Sequence, residues 1–145
     1  MAEQKISLSQ EQLIQMFQAE QEKMNSLNNS IQVTLQMLQE NIGTLESLKT
    51  LKESKEKEEI LVPLGANIFI KASLEKEKEI IMALTNEVTS KTSLEKAIKK
   101  LEEKEKKLAA NHSGMVEEQQ KIAINLQSLE KVIQSMLAQQ MQQKK

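Results

Sequence analysis

Apolar residues in the last third of the chain recur at the spacing of a coiled coil. One column repeats every seven residues and is wholly apolar: Leu94, Leu101, Leu108, Met115, Ile122, Leu129 and Met136. A second column lies four residues after each of these and is half polar: Ile98, Glu105, His112, Gln119, Leu126, Ile133 and Gln140. A 3.5-residue period sustained over this length is typical of a left-handed coiled coil, so the pattern predicts a helix over residues 93–141.

The first part of the chain predicts another helix, over residues 9–52, with a less regular stripe. Its regular column is Phe17, Met24, Ile31, Leu38 and Leu45, and the apolar residues between them are Leu13, Leu27, Leu35, Ile42 and Leu48. This second set shifts between adjacent positions, and the 3-4-4 step that ends at Leu35 predicts a local relaxation of the supercoil. Ser9 with Gln12 predicts a capping box at the helix start.

Residues 59–91, between the two helices, hold the β-like runs. The apolar runs are 60–62, 68–74 and 80–84, and Val88–Ser90 predicts a short fourth strand. Pro63 belongs at a strand edge or bulge, and Gly65-Ala66-Asn67 is typical of a turn. So short a segment cannot bury these runs within itself. We therefore expect other chains to complete the sheet, in an obligate oligomer.

The order helix, strands, helix predicts a mostly α fold with a small β insert, in which the helices return as an antiparallel coiled-coil hairpin. The repeats of both helices are too narrow for either to be stable alone, so each needs the other as a partner. Gly43 and Gly114 fall inside the helices, where glycine costs on the order of 1 kcal/mol against alanine. They mark either soft points or close packing.

The amino-acid composition excludes most kinds of catalytic and metal-binding site. The 145 residues include 20 Lys, 21 Glu and one His, with no Cys, Trp or Tyr, and the sequence contains no Arg or Asp. Disulfides, thiolate nucleophiles and Cys-ligated zinc are excluded, and the near-neutral charge without aromatic platforms disfavours nucleic acid as a partner. No enzyme activity, cofactor or metal is expected. The sequence also predicts no membrane span and no secretory signal, which favours the cytoplasm.

His112 and the mixed Glu/Lys runs have structural interpretations. His112 lies in the half-polar column, where a polar residue commonly sets the register of a coiled coil. The run from Lys96 to Lys107 interleaves both signs, which is typical of a solvated helix face.

The two chain ends carry more apolar residues than the paired stripes use. Between Ile122 and Gln143 only Glu130 and Lys131 are charged. The surplus residues are Ile6, Leu8, Ile14, Met16 and Phe17 in the first helix region and Ala123, Ile124, Val132 and Leu137 in the last. They indicate either a frayed or chain-packed coil end, or an adaptable hydrophobic contact surface, to which flexible Met side chains are suited.

The insert resembles the alpha-class subunit of prefoldin. That family carries an L-V-P-hydrophobic-G segment, matched by residues 60–66, and then an aromatic-containing strand ending near a lysine, matched by residues 68–72. Residues 80–82 match the next strand and 94–97 the return into the second helix. Two features depart from the family pattern: Thr85-Asn86-Glu87 replaces a Gly-x-Gly-like turn, and Val88–Ser90 is unusually polar.

The resemblance implies a single prefoldin-type domain over residues 1–145 in an ATP-independent chaperone of two alpha and four beta subunits. The strands would complete an intersubunit β-barrel, and the coiled-coil tips would capture unfolded clients and pass them to a group II chaperonin. The implied oligomerisation residues are Ile60, Leu61, Val62, Pro63, Gly65, Ile68, Phe69, Ile70, Ile80, Ile81, Met82 and Leu84. The implied client-binding residues are Ile6, Leu8, Leu13, Ile14, Met16, Phe17, Val132, Ile133, Met136, Leu137 and Met141. Two alternatives stay open: a filament-forming relative with structural or holdase function, because heterologous contacts need not close, and a generic coiled-coil tether.

Overall fold

The chain consists of two long helices with four short strands between them in sequence. The computed structural model describes residues 8–75 and 79–144. The elements are α1 (Gln10–Glu53), β1 (Glu59–Gly65), β2 (Ile68–Ser73), β3 (Glu79–Ala83), β4 (Thr89–Ser93) and α2 (Leu94–Gln143). The strands form two separate antiparallel pairs, β1 with β2 (hairpin 1) and β3 with β4 (hairpin 2). The predicted fold class, two long helices joined by two short β-hairpins, is confirmed.

The chain divides into two compact units, and both helices contribute to each. The terminal unit comprises Met1–Gln36 and Ala110–Lys145, of which the structure describes 8–36 and 110–144. The strand unit comprises Met37–Ala109 and is described except for 76–78.

Side-chain caps define where both helices begin. The Ser9 N–H donates to Gln12 Oε1 (2.9 Å) and the Gln12 N–H donates to Ser9 Oγ (3.2 Å), which is the predicted capping box. At the start of α2 the Lys96 N–H donates to Ser93 Oγ (3.3 Å). Because β4 ends at Ser93 and α2 begins at Leu94, the chain passes from strand to helix without a loop.

The interior of α1 differs from the prediction. Asn41 is 5% exposed, whereas Leu35 is 41% and Ile42 38% exposed, and the half-buried Thr34 takes the place expected for Leu35. The seven-residue repeat of inward-facing positions therefore continues without interruption, with the polar residues Thr34 and Asn41 at two of them. The predicted 3-4-4 step is wrong. The Asn41 Nδ2 donates to the Leu101 carbonyl oxygen (2.9 Å), which satisfies one end of the buried amide. Its Oδ1 has no hydrogen-bond partner within the described part of the chain.

The two columns predicted for α2 lie on its inner face. All members from Leu94 to Met136 are buried or half-buried, and only Gln140 is exposed. In the terminal unit Leu13 and Ile122 are buried, and polar pairs join the helices: Gln119 Nε2 donates to Asn28 Oδ1 (2.6 Å) and Gln140 Nε2 to Gln10 Oε1 (3.1 Å).

The core of the strand unit lies where hairpin 2 meets the helices. Leu48, Leu94 and Ala97 form a buried cluster. Partly buried residues from both helices and from β3 pack around it: Leu51, Ile80, Met82, Ile98 and Leu101. Gly43 and Gly114 are not part of any close contact, since a Cβ built on either meets no atom within 4 Å. Close packing against the described residues 8–75 and 79–144 is therefore not why these positions are glycine.

Hairpin 1 closes through a strained two-residue turn. Gly65 pairs with Ile68, so Ala66 and Asn67 form the turn, and both have positive φ (47° and 62°) as a type I′ turn requires. The register shifts between Pro63 and Gly65, which confirms that the proline lies at a bulge. Alanine rarely adopts this left-handed conformation, because its Cβ crowds the following carbonyl.

Candidate functional site

Hairpin 1 exposes apolar side chains on both faces. Every residue from Leu61 to Ile70 is exposed; Leu61 is 62% and Leu64 65% exposed. The other large apolar side chains of this stretch are Val62, Ile68, Phe69 and Ile70. A contiguous apolar surface of this kind is unfavourable in water and is typical of protein–protein or membrane contacts, ligand grooves or aggregation-prone segments. We name the exposed residues 61–70 the open hairpin surface.

Hairpin 2 repeats hairpin 1 at an offset of twenty residues. Glu59 pairs with Ser73 and Leu61 with Lys71; Glu79 pairs with Ser93 and Ile81 with Lys91. Each hairpin carries the same cross-strand ion pair, Lys71 with Glu59 at 4.0 Å and Lys91 with Glu79 at 3.5 Å. This repeat escaped the sequence analysis, but comparing the chain with itself at an offset of twenty aligns Glu-Ile and Lys-x-Ser in both hairpins.

The two hairpins differ in what covers their inner faces. Ile80 and Met82 of hairpin 2 pack against the Leu48–Leu94–Ala97 cluster, whereas Val62 of hairpin 1, at the position that corresponds to Met82, is exposed. On its outer face hairpin 2 leaves Ile81 67% exposed. The chain thus covers Ile80 and Met82 itself, whereas on the corresponding face of hairpin 1 Ile60 is half-buried and Val62 and Ile70 are exposed.

The predicted oligomerisation residues fall in these two hairpins. Leu84 lies one residue beyond β3 and is exposed; its N–H donates to the Val88 carbonyl oxygen (2.8 Å). The Thr85 hydroxyl oxygen accepts N–H hydrogen bonds from Val88 (3.0 Å) and Glu87 (3.3 Å). The side chain of Thr85 therefore closes the turn in which Thr85-Asn86-Glu87 replaces the Gly-x-Gly-like turn of the family pattern, and no described residue of that turn has positive φ.

The terminal unit brings together most of the predicted client-binding residues. Leu8, Ile14, Met16, Val132, Leu137 and Met141 are exposed; Phe17, Ile133 and Met136 are half-buried; Leu13 is buried. Ile6 lies outside the described residues. Leu13 thus belongs to the layer beneath the exposed side chains, and the exposed members form what we name the terminal apolar surface.

A shallow groove of about 230 Å³ opens within this surface. Ile14, Phe17 and Ile133 line it, together with Glu130 and Gln134. The sequence analysis did not assign a site role to the last two residues. Glu130 could have been singled out, because it is one of only two charged residues between Ile122 and Gln143.

The described part of the chain gives no support for a metal site or a membrane-spanning helix. His112 is half-buried on the inner column of α2. Within residues 8–75 and 79–144, no group of three His, Asp or Glu side chains lies close enough to hold a metal ion. Over the same residues, neither helix has a stretch apolar enough to span a bilayer.

Comparison with known proteins agrees with this architecture. The model of the prefoldin subunit family matches residues 10–140. The chain is 21% identical over 125 residues to a prefoldin subunit alpha of Thermofilum pendens, covering 86% of this chain and 97% of that protein. It is 31% identical over 78 residues to prefoldin subunit alpha 2 of Methanocaldococcus jannaschii, covering 54% and 51%. Among solved structures, a chain of filamentous PFD from M. jannaschii superposes with a TM-score of 0.64 at 20% identity, covering 81% of this chain and 94% of that one. Since the family model spans nearly the whole chain, this protein belongs to the prefoldin subunit family.

Proposed function

We propose that this chain is an alpha-type subunit of an ATP-independent chaperone, which assembles through its hairpins and captures unfolded polypeptides at its terminal apolar surface. The observation that carries the proposal is the open hairpin surface. Family membership supports a chaperone-type function and partnership with other prefoldin subunits.

Assembly follows from what an uncovered hairpin needs. An isolated two-stranded hairpin is marginally stable in water, and more strands or a packing partner are required. Among the residues that the structure describes, nothing supplies either to the outer part of hairpin 1, since its sheet has two strands and residues 61–70 are exposed on both faces. Strands from beta-class subunits would complete the sheet into an intersubunit barrel, in a hexamer of two alpha and four beta subunits.

Client capture is assigned to the terminal apolar surface. Its exposed side chains include flexible ones, Met16 and Met141, which can conform to varied sequences. One such surface binds weakly, but several on one assembly act on the same unfolded chain at high effective concentration. The captured polypeptide would then pass to a group II chaperonin in the cytoplasm.

Native mass tests the assembly directly. The purified chain is measured alone and after mixing with a beta-class prefoldin subunit, by light scattering after size exclusion. We expect a discrete six-chain complex that forms only on mixing. Ile81→Lys should prevent it, because the lysine would be buried in the sheet contact. Ile124→Lys is the matched control, since Ile124 is 63% exposed but lies on α2 in the terminal unit. Assembly that survives Ile81→Lys would support a generic coiled-coil tether.

Truncation tests the capture site. Deletion of the residues before about Phe17 and after about Gln134 should abolish suppression of client aggregation and leave the oligomer intact. The point variants Leu137→Ser and Met141→Ser should weaken suppression, whereas Val33→Ser, at an exposed apolar residue outside the assigned site, should not. Full activity of the truncated protein would remove the client site from the terminal unit.

A filament is the second candidate. It is favoured by the structural likeness to a chain of filamentous PFD. A heterologous contact between the hairpins that fails to close would extend without limit. The same native-mass measurement separates the two: a ladder of masses from the chain alone indicates a polymer with structural or holdase function.

A further inference from the structure

The groove in the terminal unit joins an apolar floor to a carboxylate on its rim. Ile14 and Phe17 lie one turn apart on α1 and face Ile133 of α2, while Glu130 and Gln134 complete the lining. Glu130 is exposed, and its Oε1 accepts a long hydrogen bond from Gln134 Nε2 (3.5 Å). Across residues 8–75 and 79–144 no lysine pairs with this carboxylate, although Glu20, Glu59, Glu79 and Glu102 each have a lysine partner.

The size of the groove fits a single side chain. Its volume is about 230 Å³. An apolar cavity of about 150 Å³ accommodates a benzene ring, whereas pockets for drug-sized ligands begin near about 300 Å³. The groove therefore has room for one large apolar side chain and little more.

Contacts next to the groove hold its walls in place before anything binds. The capping box of Ser9 and Gln12 fixes the start of α1, and Gln140 Nε2 bonds Gln10 Oε1 across the helix pair. Leu13 is buried beside Ile14. A groove that is already formed loses less entropy on binding than a surface that must first be ordered.

We propose that this groove selects a large apolar residue adjacent to a lysine or arginine in an unfolded polypeptide. The apolar side chain enters between Ile14, Phe17 and Ile133, and the neighbouring cation pairs with Glu130. The inference depends on the proposed capture of clients by the terminal unit and adds a chemical preference to it. An exposed ion pair contributes modestly, about threefold in affinity. Several grooves acting on one chain raise that preference through effective concentration.

Paired peptides test the preference on the assembled oligomer. Two labelled, unstructured peptides carry the same Leu and Phe residues, flanked by Lys in one and by Glu in the other, and binding is followed by fluorescence anisotropy. The wild-type assembly should bind the Lys-flanked peptide about threefold more tightly at low salt. The difference should vanish near 1 M salt, where the Debye length is about 3 Å.

Variants of Glu130 test whether its carboxylate causes the preference for the Lys-flanked peptide. Glu130→Gln should abolish the preference and Glu130→Lys should reverse it. Glu117→Gln is the matched control, because Glu117 is an exposed carboxylate of α2 in the same unit that does not line the groove. Three outcomes would overturn the groove assignment and leave client capture intact. They are equal binding of both peptides by the wild type, a preference that survives Glu130→Gln, and loss of the preference in Glu117→Gln. Binding of neither peptide would overturn the capture site itself, and the preference with it.

Discussion

Hairpin 1 and hairpin 2 share a register and a glutamate–lysine pair, but their inner faces have different surroundings. Ile80 and Met82 of hairpin 2 rest on the Leu48–Leu94–Ala97 cluster, while Val62 and Ile70 of hairpin 1 are exposed. The difference shows that strands with a similar pattern can have different surroundings in one chain. Hairpin 2 packs into the core of the subunit, whereas hairpin 1 keeps residues 61–70 exposed.

A charge placed on the inner face of each hairpin should destabilise the isolated chain by very different amounts. Met82→Asp places a carboxylate against the apolar cluster and should lower the free energy of unfolding by about 2–3 kcal/mol. Val62→Asp, at the corresponding position, which is 37% exposed, should lower it by no more than about 1 kcal/mol, the range of strand propensities. The same Val62→Asp chain should fail to assemble with a beta-class subunit, because its carboxylate would be buried there.

Thermal unfolding followed by circular dichroism measures the first pair of values, and native mass measures the assembly. Comparable destabilisation of the isolated chain by both variants would mean that hairpin 1 is already covered within the subunit. The inner faces of the two hairpins would then not differ in how far the subunit covers them.

Local patterns made much of this architecture predictable. The apolar column of α2, the Ser9–Gln12 capping box and the bulge at Pro63 depend on residues near one another in sequence, and all three are present in the structure. Which residues of α1 face inward could not be predicted from the positions of its apolar residues alone. Asn41 lies inward because its Nδ2 reaches the Leu101 carbonyl, a contact between residues sixty positions apart.

The candidate surfaces were predictable in part for the same reason. Apolar residues at the chain ends and in the strands were evident from composition and period. The groove lined by Phe17 and Glu130 required the alignment of α1 with α2, which is set by pairs such as Asn28–Gln119. That Met82 is covered and Val62 is exposed depends on tertiary packing, since the two residues occupy corresponding places in the two strands.

The turns of the two hairpins offer a finer comparison. Ala66 holds φ at 47°, a conformation that costs an L-residue roughly 1–2 kcal/mol and that glycine adopts freely. Ala66→Gly should therefore stabilise hairpin 1 by about 1 kcal/mol and slow amide exchange in β2 about fivefold. Asn67→Gly should have a smaller effect, because asparagine tolerates this region. Slower exchange in hairpin 2 as well would show that the hairpins are coupled.

The turn of hairpin 2 depends on a hydroxyl group instead. Thr85→Ala removes the acceptor for the Val88 and Glu87 N–H groups and should destabilise this hairpin by about 1 kcal/mol. Amide exchange in β4 should accelerate by a corresponding factor, while β2 stays unchanged. Thr85→Ser keeps the hydroxyl group and should behave like the wild type, so equal effects of Ala and Ser would remove the hydrogen bonds as the cause.

The smallest effect is expected where the hairpins are most alike. Lys71 and Lys91 pair with Glu59 and Glu79 on outer faces, and all four side chains are more than half exposed. Ion pairs in this setting contribute about 0–1 kcal/mol and weaken with salt, so Lys71→Gln and Lys91→Gln should each lower the stability of the isolated chain by less than about 0.5 kcal/mol. A partner that leaves the charged ends of both lysine side chains in water should tolerate both variants, and each should then assemble normally. If Lys71→Gln alone blocked assembly, the partner would have to contact the Lys71–Glu59 pair of hairpin 1.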